Sequence, residues 1–470
     1  MQELTQTNPS DKDPDVLRFE QMEDAYFDVE SIESIFDFYA ENSELEKAER
    51  VLQLGLKLHP NSIDLLIKKT FILIEKGEEK VAIPLLKRLL KFEEMDPELY
   101  FNLGWAYLKT DNPEKALSCF REAANIFFDE YDSFIIDIAF NLNELNYTKY
   151  AIELLEETIL KYPNNENLLF ELAYSYDNED QILKTIDIYN RILNINPFSE
   201  ATWFNLAIIS HRYEDFNSAL YCFDIVLSLN PNNAEAHFDK ANLLLETEEP
   251  LKALNCYFEA VSHGFEPVIC YHQIAFCLEQ LGQIELALRF YDLSVKTHPT
   301  FLFPWFGYIS LLISTNNAKK ALEKSMEAIL ISDMYPEFMF LRAKAHILTK
   351  DYHKALSWLE KSIKHEPNNI RYIYKWLQVK NHLFSKKDSL SILDELRTNR
   401  ASIYAINYVS AAISILELND YFLAGLYLEN ALIEAPEDFD FFLDVFSFQL
   451  KDIFKSKILK KIVRKYVEFE

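Results

Sequence analysis

The chain has 470 residues, of which 14% are aromatic and only seven are glycine, and its formal net charge at pH 7 is −28. This length exceeds that of one ordinary hydrophobic core and predicts several domains or an array of repeats. The scarcity of glycine leaves little material for phosphate-binding loops, and neither GxGxxG nor a GxxxxGK motif occurs. The charge argues against nucleic acid as a partner, because binding it requires Lys and Arg to displace counterions.

The N-terminal region is polar and acidic. We expect residues 1–16 to form a disordered acidic tail and residues 17–28, LRFEQMEDAYFD, to cap the folded part of the chain. The N-terminus lacks the basic and apolar regions of a signal peptide, and the five cysteines are an odd number. Together these features predict a cytoplasmic protein with reduced thiols.

From residue 29 onward, small residues recur at intervals of 34, with one extra residue at two of the steps. Ten of these twelve positions are Ala, and the other two are Thr185 and Ser389. A second track of small residues runs twelve positions earlier, and a large residue, such as Phe120 or Tyr257, follows eleven of the twelve main positions by four. Small residues opposite large ones predict closely packed helices. The main positions are Ala48, Ala82, Ala116, Ala151, Thr185, Ala219, Ala253, Ala287, Ala321, Ala355, Ser389 and Ala424, and the second track includes Gly104, Ala139, Ala173, Ala207, Ala241, Ala275, Ala343 and Ala412.

Each 34-residue unit reads as a first helix, a short turn and a second helix. The triplet PNN closes three of the units, at 163–165, 231–233 and 367–369. Proline stops a helix because it lacks an N–H group and disfavours helix in the preceding residue. The asparagines supply turn and N-cap chemistry for the next helix.

The segments YFNLGWAYLKTDNPEKALSCFREA (100–123) and TWFNLAIISHRYEDFNSALYCFDIVLSLNPNN (202–233) resemble the tetratricopeptide repeat family. The resemblance covers residues 29–437, about twelve repeats. It implies an all-α fold, a right-handed superhelical solenoid of antiparallel helix pairs, with the first helices lining the concave face. Departures fall near residues 127–132, where an insertion occurs, and at 386–402, where the eleventh repeat is weak.

The end of the chain, residues 438–470, reads as a degenerate helix pair. Its last helix, within residues 451–470, is amphipathic, with seven basic and three acidic residues. Such a helix either caps the last repeat or contacts an anionic membrane or an acidic partner. The uncharged stretch 297–318 is interpreted as a buried helix rather than a membrane span, because Pro299 and Pro304 interrupt it.

No set of residues predicts catalysis, a metal or a cofactor. Cys119, Cys222 and Cys256 occupy the same position of three second helices, which favours a packing role. Cys270 and Cys277 lie near His272 but have no metal-ligand spacing. We therefore expect a protein that is not an enzyme.

Two surface patches are candidates for partner binding, at positions that the resemblance places on the concave face. The acidic patch has two interpretations: it binds a basic segment of a partner, or its carboxylates form an ordinary solvated surface. In the apolar patch, an amphipathic helix or extended peptide binds or the residues pack within the solenoid. The acidic residues are Glu30, Asp37, Asp64, Glu98, Asp177 and Glu235, and the apolar residues are Phe276, Phe303, Phe306, Ile313, Phe340 and Ile347.

The sequence predicts a scaffold or adaptor that binds one or more partner proteins in the concave groove. The partner is expected to contribute a basic or amphipathic segment. We expect no nucleic-acid partner and no transmembrane segment. The alternative is a chaperone or assembly factor that holds unfolded or nascent clients. An RNA-binding helical repeat is a third interpretation, which the net charge of −28 opposes.

Overall fold

The computed structural model describes residues 14–21, 26–93, 95–126, 131–384, 389–399, 404–446 and 456–466. Within these ranges the chain forms 27 α-helices and one short 3-10 turn, and it forms no strand. Residue contacts divide the chain into two compact units, Met1–Leu229 and Asn230–Glu470.

Unit 1 contains thirteen of the described helices. They are α1 (Pro14–Gln21), α2 (Val29–Glu41), α3 (Leu45–Leu58), α4 (Ile63–Glu75), α5 (Glu79–Leu89), α6 (Pro97–Lys109), α7 (Pro113–Ile126), α8 (Tyr131–Glu144), α9 (Thr148–Lys161), α10 (Glu166–Asn178), α11 (Ile182–Ile195), α12 (Glu200–Arg212) and α13 (Phe216–Leu229).

Unit 2 contains the other fourteen described helices. They are α14 (Ala234–Glu246), α15 (Pro250–Ser262), α16 (Pro267–Gln280), α17 (Ile284–Thr297), α18 (Phe303–Ser314), α19 (Ala318–Ile331), α20 (Pro336–Leu348), α21 (Tyr352–His365), α22 (Ile370–Leu383), α23 (Ser389–Asn399), α24 (Ala405–Leu416), α25 (Tyr421–Glu434), α26 (Phe439–Phe446) and α27 (Lys457–Tyr466), with the 3-10 turn at Pro436–Asp438.

Within each unit, successive helices pack as antiparallel pairs, which confirms the predicted all-α solenoid of helix pairs. The periodic small residues explain the close packing. All ten alanines of the main positions have zero exposure, and so has Thr185. On the second track, a Cβ added to Gly104 would lie 2.4 Å from Cε1 of Phe120 on the partner helix. Small residues therefore admit the large side chains of neighbouring helices, as predicted from the spacing.

The asparagines of PNN act as helix caps. Asn165, Asn233 and Asn369 are the N-caps of α10, α14 and α22, and each side chain accepts a hydrogen bond from a backbone N–H in the first turn. These bonds satisfy donors that have no partner within the helix. The interpretation of PNN as a boundary between repeats is thus supported by its hydrogen bonds.

The turns within the helix pairs share one backbone conformation. A residue with φ between 52° and 75° follows eleven of the first helices in the described part of the chain, at intervals of 34 or 35 except for one double interval between Lys350 and Asn419. This left-handed conformation is easiest for glycine, yet only two of the eleven residues are glycine. The residues are Ser43, Gly77, Asp111, Asn146, Asp180, Glu214, Glu248, Gly282, Asn316, Lys350 and Asn419.

At the N-terminal end, α1 begins at Pro14, so it includes the last three residues of the predicted tail at 1–16. Residues 1–13 lie outside the described part. Phe19 of α1 and Phe27 after it are buried, and the Phe19 ring lies 6.3 Å from the ring of Tyr39 in α2. These contacts suit the predicted capping role of residues 17–28, which stays a prediction.

At the C-terminal end, α27 packs against α25. Leu459 and Val463 are buried, and Gly425 allows the approach, since a Cβ there would lie 3.0 Å from Cδ1 of Ile462. Lys465 pairs with Glu429 of α25 at 2.9 Å. The predicted basic helix thus turns its apolar side to the preceding repeat. Residues 447–455 and 467–470 of this region are outside the described part.

The uncharged stretch near residue 300 forms α18, a helix of twelve residues with Trp305, Tyr308 and Ile309 buried. It is a core helix, as interpreted from the sequence. None of the described helices is both long enough and apolar enough to cross a membrane.

Candidate binding groove

Three cavities in unit 1 are lined by the first helices of successive pairs. The first, of about 450 Å³, lies among α2, α4 and α6. The second, of about 420 Å³, lies among α4, α6 and α8, and the third, of about 570 Å³, lies among α8, α10 and α12. Because neighbouring cavities share helices, we call them together the first-helix groove.

In the first cavity, carboxylates from two helices converge on one lysine. Nζ of Lys68 on α4 lies 3.1 Å from Oδ1 of Asp37 on α2 and 3.4 Å from Oε1 of Glu98 on α6. Burial raises the pKa of Glu98, and the neighbouring Lys68 opposes that shift. Burial also raises the pKa of Glu33, with a further contribution from Asp64. The lysine ties three successive repeats together and neutralises only part of the local negative charge.

The second cavity has an aromatic wall. The Phe101 ring lies 5.8 Å from the ring of Trp105, edge to face, and Phe71 lines the same cavity. Lys109 pairs with Glu75 at 3.0 Å. This cavity therefore offers a mainly apolar surface, and the two charged side chains that line it, Lys109 and Glu75, neutralise each other.

The third cavity combines aromatic rings with unpaired acids. Asp177 pairs with Arg212 at 2.8 Å. Glu171 accepts a hydrogen bond of 3.0 Å from Nδ2 of Asn143, and burial raises its pKa. In the described part of the chain, no Lys or Arg pairs with Glu171 or with Asp137, which both line the cavity. The cavity therefore carries negative charge without a counterion.

Three of the six predicted acidic residues, Asp37, Glu98 and Asp177, line the first-helix groove, and each is ion-paired. Asp64 raises the pKa of Glu33 through its charge, and Glu30 lies in the first turn of α2. Neither Asp64 nor Glu30 lines any of the three cavities. Glu235 is an exposed residue at the start of α14 in unit 2. The acidic set is thus divided between groove and open surface.

Sequence reasoning missed the partners Lys68 and Arg212 and the unpaired Glu171. Lys68 and Arg212 each lie about one repeat from a carboxylate that they contact, 30 residues for Lys68 and Glu98 and 35 for Arg212 and Asp177. The 34-residue register could therefore have suggested both pairs. Nothing in the sequence distinguishes Glu171 from the solvated acids.

One residue of the predicted apolar patch is buried in the structure, and the other five differ in how far they are exposed to solvent. Phe340 is only 3% exposed, because its ring packs at 4.9 Å from Tyr372 of the next repeat, so it cannot belong to an exposed patch. The Phe306 ring is stacked at 4.3 Å on Phe338. Phe276 and Phe303 are exposed at 39% and 65%. The two remaining members, Ile313 and Ile347, are half-buried.

Phe306 and Phe340 illustrate a general use of the aromatic residue in the middle of the first helices. At seven such positions, the ring contacts another aromatic ring of the same or a neighbouring helix. Packing thus accounts for this aromatic series. The residues are Phe101, Phe170, Phe204, Phe238, Phe306, Phe340 and Tyr374.

The thiols lie in apolar surroundings. Burial raises the pKa of Cys270 and Cys277 to about 12 and that of Cys119 and Cys222 to about 11. No group of three His, Cys, Asp or Glu residues in the described ranges is arranged to hold a metal ion.

Comparison with known proteins identifies the repeat. Family models described as tetratricopeptide repeat match residues 24–133 and 336–369. The TPR repeat-containing protein MJ1428 of Methanocaldococcus jannaschii is 23% identical over 386 residues, which cover 76% of this chain and 62% of that protein. The human protein O-mannosyl-transferase TMTC3 is 24% identical over 178 residues, 37% of this chain and 19% of that protein. The chain thus spans less than two thirds of either relative.

Solved structures give weaker similarities. YrrB, described as a TPR protein with an unusual peptide-binding site, aligns with a TM-score of 0.35 and 18% identity over 40% of this chain and 96% of its own. The Naa15/Naa10 complex bound to HypK-THB aligns with a TM-score of 0.37 and 14% identity over 93% of this chain and 78% of the matched chain.

Proposed function

Because the chain is a tetratricopeptide repeat protein, we propose that it is a scaffold or adaptor that binds partner polypeptides along the first-helix groove. The observation that carries the proposal is the shared lining of the three cavities by α2 to α12. An extended ligand can contact several repeats at once there, whereas a single cavity suits only one or two side chains.

The charge of these helices favours a basic partner segment. The six first helices of unit 1 carry fourteen Asp or Glu residues and four Lys or Arg residues, a net charge of −10. Three of the four cations, Lys68, Lys109 and Arg212, are already paired with groove carboxylates. A partner with Lys or Arg beside apolar residues would match both the unpaired acids of the third cavity and the aromatic wall of the second.

The test is quantitative affinity purification of the full chain, comparing a groove variant with a matched surface variant. Asp137→Lys/Tyr174→Ala changes two exposed residues of the third cavity. Leu183→Ala/Asp187→Lys makes the same kind of change on the second helix α11, where both residues are exposed. We expect the groove variant to lose about tenfold or more of the main partner, a change of about 1.4 kcal/mol, and the surface variant to keep it. Equal recovery by both variants would refute the proposal.

The same experiment tests the chaperone alternative, which the exposure of Phe303 at 65% favours. A scaffold returns a fixed set of partners in fixed ratios. A holding chaperone returns many unfolded proteins, and its recovery of them depends on exposed apolar residues such as Phe303 and Phe276 rather than on Asp137. A cytoplasmic site of action belongs to the proposal and is checked by fractionation.

A further inference from the structure

The first helices near the C-terminal end of unit 2 reverse the charge of the chain. Helices α18 and α24 contain no Asp, Glu, Lys or Arg. Helices α20 and α22 contain five Lys or Arg residues and a single carboxylate, Glu337. The whole chain, in contrast, has 75 acidic and 47 basic residues. This local excess of positive charge therefore differs from the general acidity of the protein.

Two of these cations lie against one buried ring. Nζ of Lys344 is 5.8 Å from the centroid of Phe340, and Cζ of Arg371 is 5.0 Å from the same centroid. The single carboxylate is already engaged, since Glu337 pairs with Arg371 and accepts a hydrogen bond of 2.9 Å from the hydroxyl of Tyr372. Glu337 thus forms its ion pair with Arg371, and it acts on Lys344 only through its charge, without pairing with it.

Lys344 and Lys375 are half-buried, and the described part of the chain places no carboxylate in an ion pair with either. Neither forms an ion pair with any residue in the described ranges, and Lys375 donates only to Oε1 of Gln378, at 3.1 Å. The two lysines lie on α20 and α22, first helices of successive repeats that contact each other through Phe340 and Tyr372, whose rings are 4.9 Å apart. Burial lowers the pKa of both lysines, and the charge of Lys375 lowers that of Lys344 further, whereas the charge of Glu337 opposes the shift. Two partly desolvated like charges destabilise the folded chain unless an anion joins them.

We propose that Lys344 and Lys375 form a binding site for an oxyanion carried by a partner polypeptide, either an acidic side chain or a phosphorylated one. This proposal rests on the proposed function, because its ligand is a polypeptide. Whereas unit 1 favours a basic segment of a partner, this site in unit 2 favours an acidic one. Half-buried apolar residues of α18, Phe306 and Ile313, belong to the helix packed against α20. The matching segment therefore places an acidic residue beside apolar ones.

The test measures fluorescence anisotropy of short labelled peptides, amidated at the C-terminus, with the full chain. One peptide alternates Glu and Leu, one has Gln for Glu, and one has phosphoserine for Glu. We expect the wild type to bind the Glu peptide about tenfold more tightly than the Gln peptide. The variant Lys344→Gln/Lys375→Gln should lose that preference, and the control Lys319→Gln/Lys364→Gln, on the exposed faces of α19 and α21, should keep it.

Comparison of the Glu and phosphoserine peptides identifies which oxyanion the site prefers. The proposal is overturned if the wild type and the Lys344/Lys375 variant bind alike, if the control loses the preference equally, or if single-stranded RNA binds these lysines more tightly than any peptide. The Asp137→Lys/Tyr174→Ala variant should still bind the Glu peptide, so failure of this site and failure of the proposed function give different results.

Thermal unfolding separates a binding role from a structural one. Because the two lysines are unpaired, Lys344→Gln/Lys375→Gln should unfold at the same or a higher temperature than the wild type. A lower unfolding temperature would mean that the lysines stabilise the fold, and it would contradict the proposal. Lys344→Arg/Lys375→Arg should retain the peptide preference.

Discussion

Substitution of Gly104 by Ala tests the packing rule of the repeat directly. Gly104 lies in α6, and an added Cβ would lie 2.4, 2.7 and 2.9 Å from Cε1, Cδ1 and Cζ of Phe120 in α7. Carbon atoms pack best at about 3.5–4.0 Å, so the ring would have to move by about 1 Å. Phe120 has zero exposure, and its ring lies 6.0 Å from Phe101 and 5.6 Å from Trp105. Movement of the Phe120 ring would therefore disturb both of these aromatic contacts.

The magnitude follows from two opposing effects. Overpacking of a filled core costs about 1–3 kcal/mol. Alanine favours helix over glycine by about 0.8–1.0 kcal/mol, which offsets part of that cost. The approach of 2.4 Å to Phe120 places the overpacking cost in the upper half of its range, so we expect Gly104→Ala to destabilise the α6/α7 pair by about 1–2 kcal/mol.

Hydrogen exchange read by mass spectrometry suits this change because repeat arrays open locally. Protection of the α6 and α7 amides should fall about 5- to 30-fold. The control is Gly425→Ala, where the nearest atom is Cδ1 at the flexible end of Ile462, 3.0 Å away, and little loss is expected. Unchanged or increased protection in Gly104→Ala would show that helix propensity outweighs packing, and the explanation of the small-residue track would be wrong.

Three further predictions concern titration, reactivity and the last helix. Burial raises the pKa of Glu171 in the folded chain above its value in the unfolded chain, so the protonated side chain favours folding and this contribution is lost as the pH rises through the folded pKa. Glu171→Gln should therefore unfold at a higher temperature than the wild type at neutral pH. Its unfolding temperature, measured by calorimetry, should also depend less on pH. Cys270 and Cys277, with thiol pKa values of about 12, should react with a thiol reagent only in denaturant, and rapid reaction in the folded chain would contradict their burial. Leu459→Asp should release α27 from α25, seen as faster tryptic cleavage within α27 but not within α21, which also contains lysines.

The repeat could be predicted because each signal recurs and is local. The alanines mark helix contacts wherever they occur, and Asn165, Asn233 and Asn369 cap helices through atoms of their own segment. The short helix α1 lies outside the repeats, so no recurring pattern marks its boundaries in the sequence. The start of α1 at Pro14 was missed because, among residues 15–21, only Val16 and Phe19 are buried.

The candidate sites could not be predicted to the same extent, because they depend on contacts between repeats. Phe340 has the apolar character expected of an exposed groove residue, but Tyr372 of the next repeat covers it. The net charge of −28 averages over the chain and conceals the positive charge of Lys344 and Lys375. Which carboxylates keep a counterion, as Asp177 does and Glu171 does not, is decided by side-chain positions that no spacing encodes.

The shared conformation of the eleven turns has a consequence for how such a chain can change. Residues as different as Gly282, Glu248 and Lys350 adopt nearly the same left-handed geometry between the paired helices. The joint is therefore set by the backbone and tolerates almost any side chain, although a non-glycine residue pays about 1 kcal/mol or more for it. A whole helix pair can therefore be duplicated, deleted or moved to another position without changing the backbone conformation of its turn. Replacing the strained non-glycine turn residues by glycine, one repeat at a time, should raise the stability of the array in small steps.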